Sequence, residues 1–124
     1  MTNKNLITET DVTKLLFTLG VAPHLKGFRF IKESVILILK EPDVLDNITK
    51  VLYPTIAQQF NTTPSRVERA VRHAIENAWT KGNPEVLNNL FGYTINATTG
   101  KPTNSQFIAT VAEALKLDLI VRGF

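Results

Sequence analysis

The chain has 124 residues, with 14 Lys and Arg against 11 Asp and Glu, a formal charge of +3 and a sequence pI near 9.3. That is the size of one domain and a balance compatible with a polyanionic partner without demanding one. Cysteine is absent, which excludes a disulfide framework, thiolate catalysis and any cysteine-based zinc site.

Residues 1–9 are polar and aperiodic and are expected to form a flexible tail ahead of a single domain over 10–124. Thr10 is placed to cap a helix running to about Leu19, with Asp11 near the positive helix end, Val12, Leu15, Leu16 and Leu19 on one side, and Gly20 as the stop. Val21-Ala22-Pro23 connects to a second helix beginning between His24 and Gly27. There Phe28, Ile31, Val35, Ile38 and Leu39 keep helical spacing up to Pro42. The β-branched run Ser34 to Leu39 could pass for a buried strand, but the helical period holds over more turns than a strand needs. Asp43 to Lys50 reads as helical. Pro54 either kinks that segment or lies in the first turn of a new helix, and the sequence leaves both open.

The stretch from about residue 50 to 79 organises the rest. Val51, Leu52, Ile56, Ala57 and Phe60 mark a short apolar stripe, and the polar turn Asn61-Thr62-Thr63 follows. Thr63 can accept from the first free backbone N–H groups, and Pro64 suits the first helical position, where a missing N–H costs nothing. Val67, Ala70, Val71, Ala74, Ile75, Ala78 and Trp79 then fall on one core-facing stripe, while Ser65, Arg66, Arg69, Arg72, His73 and Asn77 fall opposite. Arg66, Arg69 and Arg72 make a ridge with Glu68 at its edge, and forked guanidinium groups suit guanine or phosphate oxygens. An arginine face on a lone helix is usually just solvated. Helix, tight polar turn and a second helix with polar residues at its N-terminal end is the helix-turn-helix layout, in which that end enters the major groove.

Beyond Trp79 the chain breaks at Lys81-Gly82 and restarts at Asn83-Pro84 as a short helix to Phe91, ended by Gly92. Tyr93 to Lys101 reads as an exposed loop anchored by Ile95. Thr103 and Gln106 have capping-box spacing and open a last helix with Phe107, Ile108, Val111, Ala112, Leu115 and Leu119 inward. The longest apolar run, Val35 to Leu39, is far too short to span a bilayer, and no signal-like segment leads the chain. A cytoplasmic location without a membrane partner is expected, so the N-x-T triplets at Asn47, Asn61 and Asn96 are coincidental.

No enzyme chemistry is expected. His24, His73 and the carboxylates lack metal-site spacing, and Ser65 and His73 lie about 12 Å apart along one helix, too far for a nucleophile and its base. The dispersed glycines form no phosphate-cradling loop, so neither a cofactor nor a metal is indicated. His73, on the Arg66 and Arg69 side, is read as a phosphate contact and Trp79 as core.

The runs Ile48 to Ala57 and Phe60 to Glu76 closely resemble the DNA-binding effector domain of the stage-zero sporulation protein A family, the master response regulators of endospore-forming bacteria. The likeness extends to His24-Leu25-Lys26-Gly27, Leu90 to Thr94 and Lys101 to Ser105, roughly Val12 to Leu117 in all. It implies an all-α domain of about six helices and sequence-specific binding of double-stranded DNA, with helix 64–79 reading a short box that contains adjacent G·C pairs. Carried over by position, Arg66 and Arg69 would contact guanine edges or nearby phosphates and Glu68 would accept from cytosine N4, while Ser65, Arg72 and His73 would hold the backbone. The segment Lys81 to Phe91, with Lys81, Glu85, Asn88 and Phe91 as candidates, would contact the sigma subunit of RNA polymerase during activation. The chain would be a monomer in solution and a tandem dimer on adjacent boxes.

Two departures from the family stand out. Its full-length members place a receiver domain ahead of this one, whereas Met1 stands only about eleven residues before the matching region, as in an excised fragment or a stand-alone relative. The ending Leu119 to Phe124 is more apolar than the family's, suggesting added core or a self-association patch. The rival reading is a protein-interaction module on the same scaffold that modulates a regulator or RNA polymerase without specific DNA reading.

Overall fold

The structure, a computed structural model, describes residues 7–92 and 100–123, with side chains through Asp118. Six α-helices and no strand occur among the described residues: α1 (Glu9–Thr18), α2 (Lys26–Lys40), α3 (Tyr53–Gln59), α4 (Pro64–Lys81), α5 (Pro84–Phe91) and α6 (Asn104–Gly123). The expectation of an all-α single domain of about six helices holds. The expected loop over 93–101 lies mostly outside the described residues, as do the side chains of the apolar ending from Leu119 onward.

α1 corrects the expected start. Thr8, not Thr10, is the cap: its Oγ1 accepts from the Asp11 N–H at 3.2 Å, and the Asp11 carboxylate accepts from the Thr8 N–H at 2.9 Å. This reciprocal box satisfies two otherwise orphaned donors. Ile7 packs against the core and Glu9 pairs with Lys32 at 2.9 Å. Gly20 stops α1 as expected. At φ +85 it lets its own N–H reach the Phe17 carbonyl and the Val21 N–H reach the Leu16 carbonyl, both at 3.0 Å.

α2 settles the conflict between propensity and period in favour of the helix, with Phe28, Phe30, Ile31, Val35 and Ile38 buried and Leu39 half-buried. Ser34 is buried too, and its hydroxyl donates back to the Phe30 carbonyl at 2.7 Å. Between α2 and α3 lie a 3₁₀ turn (Pro42–Asn47) and a π turn (Ile48–Leu52). Pro54 stands in the first turn of α3 and has no N–H to return to Lys50. The turn before it is widened, with the Tyr53 N–H reaching five residues back to the Ile48 carbonyl.

The core is built around α4. Val67, Val71, Ala74, Ile75 and Ala78 face inward along it, and α2 and α3 pack on that side. The crossing with α2 is tight at Gly27, where an added Cβ would sit 2.2 Å from the Ala70 carbonyl oxygen and 2.6 Å from the Ala74 Cβ. α5 starts at Asn83, whose side chain accepts from the Glu85 N–H at 2.9 Å. α6 starts with the expected box: the Gln106 N–H donates to Thr103 Oγ1 at 3.2 Å, and the Thr103 N–H to Gln106 Oε1 at 2.9 Å. Among the described residues no helix is long and apolar enough to cross a membrane.

Candidate nucleic-acid interface

The turn between α3 and α4 fixes how α4 is presented. Phe60 ends α3, and Asn61 adopts φ 54, a left-handed conformation that asparagine tolerates better than most residues. The Thr62 N–H then reaches the Ala57 carbonyl at 2.9 Å and the Asn61 N–H the Gln58 carbonyl at 3.3 Å, closing off the end of α3. Thr63 Oγ1 accepts from the Arg66 N–H at 3.3 Å, and Pro64 opens the helix. Three residues thus separate α3 from α4, and Pro64, Ser65 and Arg66 at the start of α4 are exposed.

Burial of the Val67 to Ala78 stripe rotates Ser65, Arg66, Arg69, Arg72 and His73 to the surface, and all five are exposed. The arginine ridge expected along this face divides into two flanks. Arg66, Arg69 and His73 line one wall of a groove whose other wall is the first half of α2. Arg72 lies on the opposite flank, beside Lys101 to Ser105, where its Nη1 holds the Glu68 carboxylate one turn back. Neither Arg66 nor Arg69 has a carboxylate within ion-pair reach among the described residues.

A further contact, not anticipated from the residues, locks this second flank. Asn104 Nδ2 donates at 3.0 Å both to Tyr53 Oη and to the backbone carbonyl of Glu68. One amide at the start of α6 therefore ties α3 and α4 together. Burial pushes the Tyr53 phenol above its ordinary value of 10.0, while the hydrogen bond from Asn104 pulls the other way. The signal was present in Lys101 to Ser105, but nothing local to that stretch says which helices it touches.

Lys81 at the end of α4 and Glu85 and Asn88 on α5 are exposed, whereas Phe91 is fully buried. Phe91 stacks on Phe107 with ring centroids 5.1 Å apart, and Trp79 meets both rings edge-on at 5.1 and 6.0 Å. Trp79 is thus a half-buried core residue, as expected. Phe91 is a correction: a ring with no exposed surface cannot touch a polymerase subunit, and its place in a contact surface is withdrawn.

The family model for the C-terminal domain of the sporulation initiation factor Spo0A matches residues 12–115, from within α1 to the buried Leu115 of α6. The chain belongs to this family. Spo0A C-terminal domains are DNA-binding effector domains of sporulation response regulators, a regulatory family rather than an enzyme family. The matched region contains the whole of α2 to α5 and every residue of the two flanks described above.

Proposed function

We propose that this chain regulates transcription by laying the first half of α4 in the major groove of duplex DNA and reading a short box with adjacent G·C pairs. The observation that carries this reading is the pair Arg66 and Arg69 at the start of α4, both exposed and, among the described residues, without a carboxylate partner. A guanidinium fork matches guanine O6 and N7, and the Glu68 carboxylate is the acceptor that cytosine N4 offers a donor to. Ser65, Arg72 and His73 hold the sugar-phosphate backbone and set the register. Arg72 can do so while paired with Glu68, because a guanidinium has more donors than one carboxylate engages.

Fluorescence anisotropy on a duplex with the family's G·C-containing box and on a scrambled duplex, at two salt concentrations, tests this. A preference for the box that persists as salt rises is the expected result. Equal binding that vanishes with salt would leave only phosphate attraction and would favour a protein-interaction module on the same scaffold. In the regulatory reading the chain sits in tandem on adjacent boxes, and Lys81, Glu85 and Asn88 form a second surface for the sigma subunit of RNA polymerase, all three being exposed.

A further inference from the structure

Arg66, Arg69 and His73 share their groove with His24, Lys26, Arg29 and Lys32. Among the described residues no Asp or Glu lines it. Of the 12 Lys and Arg whose side chains are described, five line this one groove, which leaves seven elsewhere against all 11 Asp and Glu. Among the described residues the excess of positive charge is therefore concentrated in this groove. The other flank of α4 is compensated: Arg72 is paired with Glu68, and Lys101 with Glu76 at 3.4 Å.

We infer that the start of α2 is a second DNA-binding element, in which Lys26 and Arg29 hold one sugar-phosphate strand at the rim of the major groove that α4 enters. This rests on the placement of α4 proposed above. A helix with its side chains is about as wide as the major groove, on the order of 10–12 Å, so whatever packs on the flank of α4 meets the rim, where the phosphates run. The tight crossing at Gly27 holds α2 in that place, because the glycine lets its backbone lie directly on Ala70 and Ala74. Lys26 and Arg29 stand on either side of Gly27, exposed and one turn apart, and no carboxylate pairs with them among the described residues. Lys32, deeper along α2, is already held by Glu9. The asymmetry gives the bound strand a side: among the described residues Lys26 and Arg29 on the α2 flank have no carboxylate partner, whereas on the α6 flank Arg72 and Lys101 each hold one.

The test compares salt dependence of binding for the whole chain, a Lys26→Ala, Arg29→Ala double variant, and a control double variant, Lys14→Ala, Lys40→Ala. The control removes the same charge from exposed positions outside the groove. Two lost phosphate contacts should lower the slope of log K against log salt by about 2 and weaken box and scrambled duplexes by the same factor, with the preference between them kept. The control should keep the wild-type slope. The corresponding Gln pair, which keeps most of each aliphatic stem, should reproduce the Ala pair. An unchanged slope in the groove variants, or an equal loss in the control, would overturn the inference. Failure of base reading looks different: the wild-type chain would then show no preference for the box, and the slope comparison would still decide whether α2 carries a strand.

Discussion

Among the described residues Arg66 and Arg69 have no carboxylate partner whereas Arg72 has one, and that difference separates what each substitution should do. Arg66→Ala or Arg69→Ala is expected to cost about 1–3 kcal/mol of binding and to relax preference at one base pair. Arg72→Ala should weaken all sequences alike and lower the salt slope by about 1. Anisotropy titrations on boxes altered one base pair at a time distinguish the two patterns, and equal effects on every sequence from all three would refute the base-reading assignment. Exposure of these side chains was legible in the sequence, because helical spacing alone places them opposite the Val67 to Ala78 stripe. The pairing of Glu68 with Arg72 was legible as a four-residue spacing, yet the reading of one continuous ridge passed over it. Phe91 stands four residues after Leu87, a helical spacing that marks a core stripe on α5 and outweighs the contact role the family resemblance implies.

Contacts between elements were the least legible part of the chain. The starts of α4, α5 and α6 announced themselves through Thr63-Pro64, Asn83-Pro84 and Thr103 with Gln106, because capping chemistry is local. The widened turn before Pro54 and the role of Gly27 were not visible, since each depends on what lies opposite. Gly27→Ala makes the point testable. Helix propensity alone predicts a gain of up to about 1 kcal/mol from replacing a helical glycine. The added Cβ would instead press on the Ala70 carbonyl and Ala74, and overpacking of this kind costs about 1–3 kcal/mol. Denaturant titration should therefore show a less stable variant, and a more stable one would mean that the α2–α4 crossing yields easily. The tie from α6 to the helix-turn-helix has its own signature in pH. With the folded-state value of Tyr53 raised, the neutral phenol is favoured in the fold. Its contribution is complete below the ordinary value of 10.0 and is lost as pH rises through the folded-state value. Wild type should lose stability to denaturant above pH 10 more steeply than Tyr53→Phe, while the variant lacks the Asn104 hydrogen bond throughout. Parallel profiles would show that the phenol titrates as freely in the fold as in the unfolded chain.

At the scale of the whole molecule, the proposed reading assigns DNA contact to α4 and activation to α5, and the aromatic cluster of Trp79, Phe91 and Phe107 lies where α4, α5 and α6 meet. A substitution there and one on the outside of α5 should therefore fail in different ways. Phe91→Ala empties a fully buried site, and a loss of about 3–5 kcal/mol is expected, enough to lower every activity through the folded fraction. Glu85→Ala with Asn88→Ala alters exposed positions, where stability should change by no more than about 0.5 kcal/mol. The expected result for that pair is unchanged box binding and reduced transcription in a reconstituted assay with RNA polymerase and its sigma subunit. Thermal unfolding of both variants alongside the assay separates a lost contact from a lost fold. Should the Glu85 and Asn88 variant bind and activate like wild type, α5 would be a connector that closes the core through Leu87 and Phe91, and the activating surface would have to lie elsewhere.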